Sequence, residues 1–409
     1  MKLFKRENYL RKMRSFYSDS EMIKVITGVR RCGKSCLMET VREELLEDGI
    51  SEENIIFLDL DSRKYRKIKT DDQLEELIES LSSANGLKYL FIDEIQNVYD
   101  FEEVVNAFRD DGEYSVFMTG SNSYLLSGEL ATKLTGRYIE FELFPLSFEE
   151  YIEMKTFYGR PVETNLNIEL NRYLLEGGFP KAIQYETLAD KRTYVKAVID
   201  EIFEKDIRRR IKIRNKEAFE KIRTFVINNF GATTSVTSML ETLRKEGIIV
   251  KRETLNRYID VLCDAKILYE CSRFDLKSKK SLRGEKKYYL ADTSFYFAVN
   301  TDNRINYGPT LENMVYIYAR SRDYSVSVGK IGKLECDFIM RDANMNYAYV
   351  QVAYTILESR TTEDGEYAAL EKIRDNYPKY VITTDYLLQQ RNGIKHRNLM
   401  EFIRNGERF

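Results

Sequence analysis

At 409 residues the chain is too long for one compact core, and two or three domains are expected. Its 43% hydrophobic and 32% charged content is that of a globular chain, and a net charge of −2 announces no polyanion partner, so any basic surface must be local. One histidine, His396, excludes a multi-histidine metal site, and the five cysteines form no C-x-x-C pair, which reads as reduced thiols in a cytoplasmic protein.

The N-terminus has no long apolar run behind it, and no segment approaches the roughly 18 apolar residues of a membrane span. Short buried-strand patterns lie at Met22–Thr27, Asn54–Leu60, Lys88–Asp93, Ser115–Thr119 and Tyr138–Leu143. Helical segments alternate with them: Leu37, Val41 and Leu45 share one face, as do Leu74, Leu77 and Leu81. Alternation of this kind predicts an α/β fold with a mostly parallel sheet over residues 1–145.

The first strand runs into Gly28-Val29-Arg30-Arg31-Cys32-Gly33-Lys34-Ser35, followed by Cys36 and a helical pattern. This is G-x-x-x-x-G-K-S in the strand–loop–helix setting of a phosphate-binding P-loop. Glycines let backbone N–H groups turn toward phosphate oxygens, and the helix adds the positive end of its dipole. Residues 28–36 therefore form the expected ATP site, with Lys34 on the β- and γ-phosphates and Ser35 on Mg²⁺. The third strand ends in Asp93-Glu94. Ligands of such sheets lie at that edge, so Asp93 is expected to hold Mg²⁺ and Glu94 to orient or deprotonate the attacking water. At the fourth strand's tip Asn122 is the candidate γ-phosphate contact, while Ser121 reads as a helix cap. Arg137 is a candidate arginine finger, in cis or from a neighbouring subunit of a homo-oligomer; the alternative is a surface arginine at a strand entrance.

These motifs, with Phe91-Ile92-Asp93-Glu94-Ile95-Gln96, Thr119-Gly120-Ser121-Asn122-Ser123, Leu134-Thr135-Gly136-Arg137-Tyr138, Pro145-Leu146-Ser147-Phe148 and Gly177-Gly178-Phe179-Pro180, resemble the prokaryotic AAA-type ATPases that carry a C-terminal DUF4143 domain. The resemblance spans essentially the whole chain. It implies an ASCE-type P-loop fold with the second acid as catalytic glutamate, and a small helical lid over residues 146–215.

Residues 216–300 read as three amphipathic helices and a hairpin, the order of a winged helix-turn-helix. In that reading double-stranded DNA meets Lys251, Arg252 and Asn256 on the third helix and Lys279 and Lys280 in the hairpin; the competing reading is a surface for a protein client. Residues 301–409 place a helix capped by Thr310, with Glu312 near its start, before strands carrying Asp337 and Gln351. This order resembles a PD-(D/E)XK nuclease core, but Ala353 stands where active members carry lysine. Glu312, Asp337 and Gln351 are thus expected to be a non-cleaving relic.

Overall fold

The computed structural model describes residues 3–120, 134–208, 211–278, 280–300 and 304–409. Asn122 and Lys279 lie outside the described residues. The chain divides into two units, Met1–Leu143 and Phe144–Phe409.

The first unit holds a parallel sheet of β1 (Ile23–Thr27), β2 (Ile55–Asp59), β3 (Lys88–Asp93), β4 (Tyr114–Thr119) and β5 (Tyr138–Glu142), in the order β2-β3-β4-β1-β5. The strands β1, β3 and β4 are buried along their whole length, as a sheet covered on both faces requires. Helices Lys34–Glu47, Asp71–Leu81 and Phe101–Asp110 connect them. Across β2, β3 and β4 the rings of Phe57, Phe91 and Phe117 stack, with centroids 5.6 and 4.6 Å apart. Because β4 is inserted between β1 and β3, the P-loop strand and the acid-bearing strand are not neighbours. Parallel register still brings their C-terminal ends to one edge.

The second unit begins with helices Phe148–Phe157, Leu166–Glu176 and Leu188–Ile202. Ser147 and Glu150 form a reciprocal capping box on the first. Lys155 and Glu169 pair inside this group, Nζ lying 2.9 and 2.7 Å from the two carboxylate oxygens. The Gly177-Gly178 turn is also a packing requirement: a Cβ on Gly178 would lie 2.3 Å from the Leu146 carbonyl oxygen. Instead the Gly178 N–H donates to buried Asp292 at 2.6 Å.

Helices Lys216–Asn228, Val236–Lys245 and Arg252–Asp264 follow, then a long hairpin. A second sheet joins β6 (Thr234–Ser235), β7 (Leu268–Asp275), β8 (Lys280–Leu290), β9 (Ser325–Ile331), β10 (Leu334–Arg341), β11 (Tyr347–Val352), β12 (Lys379–Thr383), β13 (Gln390–Arg391) and β14 (Ile394–Asn398). Among the described residues its order is β13-β14-β12-β11-β10-β9-β7-β8-β6. Residues 273–275 of the hairpin pair with 328–330, so this sheet runs through the expected boundary at 300.

One local expectation needs correction. The helix carrying Glu312 spans Tyr307–Ser321, with Asn306 as N-cap. Thr310 sits inside its first turn, where its hydroxyl donates to the Asn306 carbonyl at 2.6 Å; Pro309 is tolerated there because the N–H it lacks has no intrahelical partner. The basic stretch 277–287 is largely strand, and its Lys287 is buried.

One buried charge marks β1. Lys24 is fully buried in β1, Nζ donating to the Asp19 carbonyl at 2.5 Å and to Ser115 Oγ at 2.7 Å. Burial pulls its pKa from 10.5 down to about 7. Between those pH values the unfolded chain binds more protons than the folded one, so stability should rise with pH, by at most about 1.4 kcal/mol per unit. Below about pH 7 the full penalty applies. Denaturant melts of the parent and Lys24→Met from pH 6 to 10 check this: the stability difference should favour the variant most at pH 6–7 and shrink toward pH 10, whereas a constant difference contradicts it.

Candidate nucleotide site

Strand β1 ends at Thr27, and the loop after it turns on residues in the left-handed region: Gly28 (φ 138°), Arg31 (φ 68°) and Gly33 (φ 108°). Only glycine fits at position 28. A Cβ there would lie 2.1 Å from the Leu143 carbonyl oxygen and 2.9 Å from Cys32 Sγ. Val29 and Cys32 are buried and anchor the loop, while Arg6 braces it from outside through the Cys32 carbonyl at 3.4 Å. Gly33 is the N-cap of the Lys34–Glu47 helix and supplies no side-chain cap. The first-turn amides thus receive no acceptor from their cap residue, which suits an anion. The Lys34 amine folds back onto the Gly28 and Val29 carbonyls, at 2.9 and 3.4 Å. Ser35 and Cys36 are exposed at the start of the helix.

Asp93, at the tip of β3, meets this loop. Its carboxylate accepts hydrogen bonds from the Ser35 and Thr119 hydroxyls. Burial raises its pKa and nearby Glu94 adds to that, while the two hydroxyls and Lys34 oppose the rise. Glu94 takes a left-handed backbone (φ 59°), and its N–H donates to Thr119 Oγ1 at 3.2 Å. Such strain in a non-glycine residue persists only where its surroundings hold it. The Gln96 amide donates to Glu94 Oε2. The structure therefore brings Lys34, Ser35, Asp93 and Glu94 to one edge. It adds Thr119 and Gln96, which were part of quoted motifs but carried no assigned role. A serine hydroxyl beside a carboxylate offers hard oxygen donors of the kind magnesium takes together with phosphate and water.

Arg137 is not at this edge. It is exposed at the entrance of β5, its carbonyl accepting from the Ile23 N–H at 2.9 Å, whereas the P-loop leaves β1 at the opposite end. The register removes the cis reading of an arginine finger.

In the second unit Glu312, Asp337 and Gln351 do converge, around a cavity of about 330 Å³ that Glu358 and Glu366 also line. Asp337 is held well above the ordinary carboxylate range by burial and by Glu312. Its Oδ2 accepts from the Val352 N–H at 2.8 Å. Lys287 from β8, which carried no role in the sequence reading, lies 3.0 Å from both Glu312 and Glu335. Tyr289 also donates to Glu312, at 3.0 Å. Among the described residues no group of three or more histidine, cysteine or acidic side chains is disposed to hold a metal ion. Lys251, Arg252 and Asn256 are exposed at the start of their helix, and Lys280 is exposed on the hairpin.

A family model for an AAA domain matches residues 20–152, and one for a domain of unknown function, DUF8612, matches residues 167–304, where the sequence had suggested a DUF4143 protein. An uncharacterised protein of Haemophilus influenzae is 36% identical over 389 residues, 95% of each chain. This chain belongs to the same family as that protein. An uncharacterised protein of Methanocaldococcus jannaschii is 30% identical over 359 residues, 86% of this chain and 78% of its own. Among solved structures, a Walker-type ATPase of Pyrococcus abyssi matches with a TM-score of 0.52 at 17% identity, covering 72% of this chain and 95% of that one. That likeness is one of fold. The first unit is thus an AAA-type P-loop domain, a class that binds ATP.

Gly28→Ala forces a Cβ into the Leu143 carbonyl and should distort the loop. ATP affinity, read by titration with a fluorescent nucleotide, should fall at least tenfold, about 1.4 kcal/mol. Unchanged affinity would contradict the role given to the glycine.

Proposed function

We propose that this family member is a Mg²⁺-dependent ATPase whose turnover is coupled to DNA binding by its second unit. The observation that carries the first half is the meeting of Lys34, Ser35, Asp93 and Glu94 at one sheet edge. Lys34 and the loop amides bind the phosphates. Ser35 and Asp93 hold the metal, which when bound neutralises charge on the phosphates. Glu94 prepares the water: its carboxylate is oriented by Gln96 and its backbone by Thr119. In this reading Asp93 stays bonded to Ser35 and Thr119 and serves the metal, so the two adjacent acids divide the work. Arg137 acts only in trans, from a second copy.

DNA binding is supported by the placement of charge on a winged-helix arrangement. Three helices are followed by a hairpin to which β6 adds a third strand. Exposed Lys251, Arg252 and Asn256 open the third helix, and Lys280 stands on the hairpin. Basic side chains so arranged suit a groove and its flanking phosphates. Cleavage is disfavoured: Lys287 and Tyr289 take up the Glu312 carboxylate, and Ala353 offers no amine to a scissile phosphate.

Glu94→Gln should bind ATP with parent affinity and hydrolyse it 10²–10⁴-fold more slowly. Phosphate release and nucleotide titration check both halves, and a variant turning over at the parent rate would remove the base. Adding duplex DNA at low salt should stimulate the parent and leave Glu94→Gln silent. Equal parent rates with and without DNA would favour a nucleotide-gated binding protein with slow turnover.

A further inference from the structure

Among the described residues eleven large hydrophobic side chains are exposed, and five of them gather on two loops of the second unit. Tyr354 and Leu357 follow β11; Tyr386, Leu387 and Leu388 follow β12. Their exposure ranges from 40% to 68%. Because β11 and β12 are parallel neighbours, the two loops emerge at the same sheet edge.

These loops are stitched to each other. The Thr384 N–H and hydroxyl both donate to the Tyr354 carbonyl, at 3.0 and 2.7 Å. The Ile356 N–H donates to Asp385 Oδ2 at 3.0 Å, and Asn398 Nδ2 reaches the Thr384 and Asp385 carbonyls at 3.1 and 3.0 Å. A surface already ordered loses little conformational freedom on binding, so its exposed apolar area is available as affinity.

Charge selects the occupant. Tyr354 is also a wall of the 330 Å³ cavity, whose other walls include Glu358, Glu366, Glu312 and Asp337. Lys287 answers Glu312 and Glu335, whereas Gln351 bonds Glu366 without neutralising it. The Tyr307 ring lies against Tyr354, tilted by 34°, with centroids 4.3 Å apart. Tyrosine faces beside carboxylates favour an ammonium or guanidinium. Nucleic acid and anionic lipid are repelled by the exposed Glu358 carboxylate at the cavity wall.

We propose that this edge docks a segment of another protein in which an arginine or lysine enters the acidic cavity while flanking aliphatic residues cover Tyr354, Leu357, Leu387 and Leu388. The surface differs from the basic helix and hairpin assigned to DNA, and its occupant is of the opposite charge. The inference does not depend on ATP hydrolysis.

The test is selection of a random dodecapeptide library displayed on phage, carried out on the full chain and repeated on Leu387→Asp and Glu358→Lys. Both positions are exposed, and thermal melts should match the parent. Peptides enriched on the parent should carry arginine or lysine among aliphatic residues, and their recovery should fall at least tenfold on each variant. No enrichment, enriched peptides without basic residues, or equal recovery on both variants would overturn the proposal. So would displacement of the peptides by duplex DNA competing for this edge. Sedimentation velocity separates the remaining occupant: a parent dimer lost in Leu387→Asp would give the patch to a second copy and overturn the assignment to another protein.

Discussion

The nucleotide site depends on hydrogen-bonded register. In the first unit β1, β4 and β3 run parallel, so their C-terminal ends share one edge although β4 separates the other two. That inserted strand makes the site continuous. Thr119 at its end donates to Asp93 and accepts from the Glu94 amide, tying both acids to the strand beside the P-loop. A slip of one residue in the β3–β4 pairing would turn the Thr119 hydroxyl and the Asp93 carboxylate to opposite faces of the sheet. The stacked Phe57, Phe91 and Phe117 rings lock the register from within.

The second unit solves a different electrostatic problem. Its sheet carries many acids, and buried cations answer some of them. Lys287 lies against Glu312 and Glu335, and Arg273 Nη2 lies 2.6 Å from Glu335. Despite the desolvation that opposes it, the Lys287 pKa is raised by Glu312, Asp337 and Glu335 together, so the ammonium stays charged. The carboxylates beyond its reach then define the acidic cavity. Basic side chains meet solvent elsewhere in this unit, at the start of the Arg252–Asp264 helix and on the hairpin.

Much of the first unit was legible in sequence because its signals are local. Strands buried on both faces read as apolar runs, and the P-loop glycines and the Asp93-Glu94 pair each announce a backbone position. Thr119 and Gln96 were not legible as site residues, since their roles come from partners fixed only by tertiary register. The cis option for Arg137 could not be settled in sequence for the same reason: its place after Gly136 says nothing about which end of β5 faces the nucleotide. In the second unit the three amphipathic helices, the hairpin and the strands carrying Asp337 and Gln351 were found, but not the union of hairpin and strands in one sheet. In the basic run 277–287, spacing alone does not reveal that Lys287 lies inward against Glu312; its burial and its ion pair, in a strand paired with β7 and β6, do. Thr310 looked like a cap because threonine favours that position, yet the helix begins one turn earlier, with Asn306 at its N-cap position.

The central claim is that Lys34 and the loop around it grip the phosphates of ATP. Titration of Mg·ATP onto the full chain and onto Lys34→Met, followed by isothermal calorimetry, tests it most directly. The parent should bind saturably at one site per chain, and the variant should lose affinity by a factor of at least about 100, near 2.7 kcal/mol. Equal affinity in the two proteins, or no binding by the parent, would contradict the account.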